Sequence, residues 1–214
     1  YIDQVSFTLV SSKSAAGDAA IAGQVNMQER HVSTRADEVL AANDDLLPFT
    51  LIESDMNALT LSLNLNDKDA VLRKIFQNKN FRIALSHAID REAIIRRFTP
   101  GALPHQAAPR PESPLYHTVL ARQFINHDPE LATDYLAKAN LTQKDDEGFL
   151  LRPDGKRLSF MIDTEGSDRF DMLNAVIQYW RDIGIDVTAR NLARDVFVAN
   201  RQNNNHHASA WGGD

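Results

Sequence analysis

The run FRIALSHAIDREAII, Phe81 to Ile95, constrains the fold more tightly than any other part of the chain. Phe81, Ala84, Leu85 and Ala88 recur at helical spacing, so one side of a first helix is apolar and has to pack against something. Asp90 interrupts the run. Its short carboxylate suits a helix N-cap, Glu92 falls in the next first turn where the positive helix end favours an acid, and Ile89 and Ile94 occupy the positions of a hydrophobic staple. Two helices therefore meet at Asp90 at a fixed angle, and the corner they form belongs in a core.

Around this corner the chain alternates strand-like and helix-like runs. Val5, Phe7 and Leu9 alternate with Ser6 and Thr8, which predicts a strand over Val5 to Val10 with one buried face. Ala-rich Ser14 to Ala22 predicts a helix closed by Gly23. A second short helix is expected at Thr34 to Ala42, and β-like runs at Phe49 to Glu53 and Leu59 to Leu65; in the latter Leu59, Leu61, Leu63 and Leu65 share one face. Five of the eight prolines fall between Pro100 and Pro114, where fixed φ angles and missing donors enforce a loop that either lines a cleft or crosses the surface. Asp128 caps the next helix with Pro129 at its first position, and Leu131, Tyr135, Leu136 and Ala139 form its packing stripe. Phe149 to Arg152, the turn Pro153-Asp154-Gly155 and Leu158 to Asp163 predict a hairpin. Phe170, Leu173, Val176, Ile177, Trp180 and Ile183 make a helical stripe ended by Gly184, after which Ile185, Val187 and Ala189 alternate; strand, helix and strand in that order predict a parallel β–α–β unit with Trp180 in its core. The closing run His207 to Asp214 begins as another strand.

With 214 residues, 43% of them hydrophobic, the chain can bury one sizeable core or two small ones. Net charge is −6 and the basic residues are scattered, which argues against nucleic acid and against an anionic membrane surface as partners. No apolar run reaches the roughly 18–20 residues of a membrane span, and no charged start leads into an apolar segment. Zero cysteines excludes disulfides, thiolate metal sites and cysteine nucleophiles. The start at Tyr1 reads as a processed or excised piece.

Catalytic and cofactor motifs are missing: there is no His-Glu-x-x-His, no G-x-S-x-G and no Gly-rich phosphate loop, so no cofactor and no metal site is expected and the chain does not read as an enzyme. His206 and His207 are adjacent, which on a strand sends their rings to opposite faces. His87 reads as a structural or surface residue, and the acid runs Asp44-Asp45 and Asp145-Asp146-Glu147 as solvated turns. A hydrolase using Asp163 and Glu165 is the competing class, without a nucleophile, metal set or base to complete it.

Arg82, Ala84, Leu85, Ser86, Ala88, Ile89, Asp90, Arg91 and Ile94 carry a string that resembles the R-x-A-hydrophobic-S-x-A-I-D-R-x-x-I signature of family 5 extracellular solute-binding proteins, the peptide-binding components of ABC importers. Tyr1-Ile2-Asp3 resembles that family's strand leading out of the hinge, Asn64 stands where members have an asparagine before the signature, and Asp128, Pro129, Glu130, Ala132, Leu136 and Ala139 match the helix after the loop. Gln24 and Asn26 replace the acids usual in the family's G-E-hydrophobic-D segment. Trp211 and Asp214 are similar to its returning W-x-x-D segment. The resemblance implies an α/β fold, a mixed sheet flanked by helices, with residues 1–214 forming a single lobe of a two-lobed periplasmic-binding-protein architecture. It further implies a missing lobe and a signal peptide outside these residues, with Tyr1 and Asp214 side by side at the hinge. Capture of peptides or oligopeptides in the periplasm and delivery to ABC transporter permease subunits follow from the same resemblance. In peptide-binding members the aspartate pairs with the ligand's α-ammonium group, which assigns Asp214 that role, with Trp211, Gly212 and Gly213 beside it as ligand-binding residues; two glycines would let backbone approach a ligand closely. Other readings stay open: Asp214 as a plain chain end, Trp211 as core, and an oligosaccharide or other small solute as ligand. Some members bind a peptide carboxylate through an arginine three residues before the tryptophan; Ala208 stands there, so no peptide length preference carries over.

Overall fold

The computed structural model describes residues 2–27, 57–106 and 113–213, which fall into two units, Tyr1–Ser54 and Asp55–Asp214. In the first unit, α1 (Lys13–Ile21) opens at Ser12, whose Oγ accepts from the Ala15 N–H at 3.1 Å, and closes at Gly23 with φ +67°. The strand predicted for Val5 to Val10 does not form: residues 2–10 join no ladder among the described residues, and Phe7 and Leu9 are 93% and 99% exposed. Alternation supplies an apolar face, whereas a strand also needs a partner edge. The helix expected at Thr34 to Ala42, the run Phe49 to Glu53, the acids Asp44-Asp45, residues 107–112 of the proline-rich segment, and both Tyr1 and Asp214 lie outside the described residues.

The second unit is built on a four-stranded sheet of β1 (Asn57–Leu63), β2 (Ser159–Thr164), β3 (Asp186–Asn191) and β4 (Ala208–Gly213), in the order β1-β4-β2-β3. β4 runs antiparallel to β1 and parallel to β2, and β2 runs parallel to β3, so the sheet is mixed. The register pairs Leu61 with Ala210, Leu63 with Ala208, Ile162 with both Ala208 and Ala189, and Phe160 with Val187. With a side-chain period of two, these apolar groups share one face, and that face carries the core. Asp163, Ser209, Trp211, Ser62 and Thr60 occupy the other face.

Among the described residues, six helices follow β1 and precede or join the later strands: α2 (Ala70–Gln77), α3 (Lys79–Ala88), α4 (Arg91–Phe98), α5 (Thr118–Arg122), α6 (Pro129–Lys138) and α7 (Ser167–Asp182). A seventh, α8 (Arg194–Gln202), links β3 to β4. The corner at Asp90 forms as its sequence dictates, with Asp90 Oδ1 accepting the Ala93 N–H at 2.9 Å and Ile89 and Ile94 both buried. Phe76 bridges this corner to the sheet, stacking on Phe81 at 6.1 Å and meeting Phe160 edge-on at 5.1 Å. From α7, Trp180 is 2% exposed and its Nε1–H donates to the Leu85 carbonyl at 2.9 Å, so the largest core side chain leaves no polar atom unmet.

The parallel β2–α7–β3 unit is present, with Gly184 at φ +92° where a Cβ would stand 3.0 Å from the Gly148 carbonyl oxygen. The hairpin forms only next to its turn: the Gly155 N–H donates to the Arg152 carbonyl at 2.9 Å, Leu151 bridges Arg157, and the Arg152 and Leu158 N–H groups donate to the Lys156 and Leu150 carbonyls at 2.7 Å each, after which the arms part. β2 gives its two edges to β3 and β4 instead, because Phe160 and Ile162 bury fully between parallel partners under α7. Leu65 lies past the end of β1 and is exposed.

Candidate functional site

Trp211, the fourth residue of β4, sits on the polar face of the sheet opposite Thr60 of β1. Phe197 from α8 stacks on its ring at 5.2 Å and 17°, which explains why Phe197 is buried while Val196 and Val198 of the same helix are exposed. The guanidinium carbons of Arg169 and Arg194 lie 4.7 and 5.0 Å from the indole centroid, and Arg201 stands over Phe197 at 5.6 Å. Glu165 supplies the acid between the two arginines, its Oε2 4.0 Å from Arg169 Nη1 and 3.6 Å from Arg194 Nη1. A Cβ at Gly212 would stand 3.2 Å from Arg169 Nη2, a close approach that the flexible guanidinium relieves by shifting a few tenths of an ångström. These residues stand at the carboxyl ends of parallel β2 and β3, the place where open α/β sheets take their ligands.

The proline-rich segment reaches the same end of the sheet. Asn57 pairs with Gly213 in the β1–β4 ladder, and its side-chain oxygen accepts from His105 Nε2–H. Burial, and after it the charge of Arg91, push the His105 pKa below the ordinary histidine value. Its neighbour Gln106 donates from Nε2 to Ser86 Oγ at 2.6 Å, and Arg91 Nη2 donates to the same hydroxyl at 2.8 Å. Burial pushes the Arg91 pKa down to about 10, which still leaves it a cation at neutral pH. Two residues of the helical corner thus hold the start of the loop. Thr60 Oγ1 is buried with no hydrogen-bond partner among the described residues.

Of the residues expected to bind ligand, Trp211, Gly212 and Gly213 come together at this edge, and Asp214 lies outside the described residues. Trp211 is half-buried, one face against Phe197, and so is packed and partly open at once. Asp163 is 1% exposed and fully engaged, with Arg190 Nε and Nη2 donating to its two oxygens at 2.9 Å each and Asn200 Nδ2 at 3.0 Å. Its geometry is that of an anchor for α8 and β3. His206 and His207 precede β4 and do not divide between faces: both border a shallow polar basin of about 300 Å³, where His207 Nδ1–H donates to buried Asp67 at 2.7 Å. Arg190 and Asp163 pair within that basin, and Lys68 Nζ donates to Asn205 Oδ1. His87 is buried and structural, donating from Nδ1 to the Asn126 carbonyl at 3.0 Å and stacking on Tyr135. Sequence reading missed Arg169 and Arg194, although a signal was there: each follows a predicted parallel strand by a few residues.

The profile of the family described as bacterial extracellular solute-binding proteins, family 5, middle region, matches residues 1–214. The oligopeptide-binding protein AppA of Bacillus subtilis (strain 168) is 27% identical over 192 residues, 87% of this chain and 33% of AppA. Among solved structures, an oligopeptide-binding protein OppA superimposes with a TM-score of 0.79 at 30% identity, over 96% of this chain and 34% of that one. The periplasmic binding protein MelB of Agrobacterium fabrum C58, solved with stachyose, shares the fold at a TM-score of 0.72 and 16% identity, over 95% of this chain and 33% of its own. The chain therefore spans about a third of the length of these relatives, all of which are binding proteins.

Proposed function

We propose that this chain, which belongs to the bacterial extracellular solute-binding proteins of family 5, contributes one ligand-binding lobe, residues 1–214, to a two-lobed periplasmic receptor that captures peptides and hands them to an ABC transporter permease. The family match along all 214 residues, with oligopeptide-binding relatives in both sequence and structure, carries the reading. The site supports it chemically. A stacked indole, glycine backbone at positions 212 and 213, and a helix-rich wall behind them offer a rigid surface on which an extended ligand can lie. Asp214 is assigned the ligand's α-ammonium group, as a carboxylate sheltered from water forms a charge-assisted contact of about 1.5–3 kcal/mol with a fixed ammonium.

Calorimetry on the full-length protein with a ladder of peptides and with stachyose tests this. Peptides bind without being hydrolysed, and Asp214→Asn weakens them by about tenfold or more while leaving the melting temperature unchanged. Binding of stachyose with no peptide affinity would transfer the reading to sugars, and turnover of either solute would end the receptor reading.

A further inference from the structure

We propose that Asn64 is a positioning residue: together with Asn204 it sets the register of β4 from the far end of the sheet, and so places Trp211 and Gly213 at the candidate site. The inference rests on the solute-binding reading and names a residue on which that binding depends. Strand β4 specifies its own register poorly. Its sequence, Ala-Ser-Ala-Trp-Gly-Gly, has a single large side chain. A slip of two residues would mostly exchange one small residue for another while carrying Trp211 away from Thr60 and Phe197, and a slip of one would turn the indole into the core. Neighbouring strands add little near the site. β2 pairs with β4 only at Ala208 and Ser209, and the β1–β4 ladder is irregular between Asn57 and Thr60, where Gly213 and Trp211 lie opposite.

The register is fixed where β4 begins. Asn64, the first residue after β1, uses all its polar groups at this junction. Its N–H donates to the His207 carbonyl at 2.8 Å, and its Nδ2 donates to Asn204 Oδ1 at 2.6 Å and to the His206 carbonyl at 2.7 Å. Its Oδ1 accepts the Asn66 N–H at 3.0 Å and its carbonyl accepts the Asp67 N–H at 3.2 Å. Asn204 stands at φ +55° in the turn between α8 and β4, and its Nδ2 donates back to the Asn66 carbonyl at 2.9 Å. The bond from His207 to buried Asp67 closes the same seam. Ladder bonds between backbones re-form after a slip of two residues, so they do not choose among such registers. The reciprocal bonds of Asn64 and Asn204 do choose, because they depend on those two side chains meeting.

Calorimetry and hydrogen exchange on the full-length protein test this with Asn64→Ala, Asn204→Gly and, as a control of lowered stability far from the junction, Gly184→Ala. Glycine suits the positive φ at position 204 and removes only the partner of Asn64, so a role confined to the local turn predicts no loss in that variant. The expected result is that Asn64→Ala and Asn204→Gly, each folded by circular dichroism, bind the peptide or stachyose that the wild type binds at least about fivefold more weakly. Their combined effect is smaller than the sum, since both remove one contact, and the amides of Trp211 and Gly213 lose protection while those of β3 keep it. Gly184→Ala keeps wild-type affinity. Unchanged affinity, unchanged protection at Trp211 and Gly213, a loss of protection spread evenly over β2, β3 and β4, or a control that weakens binding as much overturns the inference. A wild type that binds neither solute ends the solute-binding reading, and the exchange pattern alone then decides the register. If Asn64→Ala fails to fold, Asn204→Gly carries the test.

Discussion

Ser86 shows how one small hydroxyl can hold three segments. Its Oγ donates to the Phe124 carbonyl at 2.7 Å and accepts from Arg91 at 2.8 Å and Gln106 at 2.6 Å, so Ser86→Ala strands one carbonyl and two donors beside a half-buried cation. Urea denaturation should show a loss of about 1–3 kcal/mol. Histidines give the pH dependence. Burial lowers the pKa of His105 and of His206, whose Nδ1 is buried without a partner among the described residues. A lowered histidine pKa means that the unfolded chain binds protons first. Stability is therefore full above about pH 6.5, falls as the pH drops toward the lowered values, and flattens below them. Urea midpoints at about pH 7.5 and 5.5 measure the fall, and His105→Gln makes it shallower. At this scale the caps were legible, since Asp90 and Asp128 act on N–H groups three residues away. Asp163 was not, because its partners Arg190 and Asn200 lie 27 and 37 residues along the chain.

Elements were legible where their signals were local. The corner of α3 and α4, the Asp-capped α6 and the β2–α7–β3 unit all follow from periodicity and caps within a dozen residues. Pairing of strands across the sheet is different in kind: the turn at Gly155 is correct, yet β2 pairs with β3 and β4, since turn chemistry reports on its own residues and not on the competing edges. One glycine decides how α7 hands over to β3. Gly184 combines φ +92° with a Cβ position 3.0 Å from the Gly148 oxygen, so Gly184→Ala should destabilise by about 1–3 kcal/mol in urea denaturation, whereas alanine at Gly155 meets no neighbour and brings only the backbone strain.

At the scale of the molecule, the resemblance carried by residues 82–94 located the family, and the tail named Trp211 to Gly213 at the edge of the candidate site; Arg169 and Arg194 beside Trp211 needed the sheet order to be found. A single lobe offers contacts to one side of a solute and excludes little water from the other. We expect these 214 residues alone to show no measurable peptide affinity by calorimetry where the full-length protein binds, and tight binding by the isolated chain would contradict a two-lobed site. The place of β4 bears on how such a lobe moves. It is the only one of the four strands bonded to both an antiparallel and a parallel neighbour, with β1 on one side and β2 on the other. Tension on Gly213 would load first the antiparallel ladder, whose register runs from Ala208 to Gly213, and would reach β2 through Ala208 and Ser209 alone.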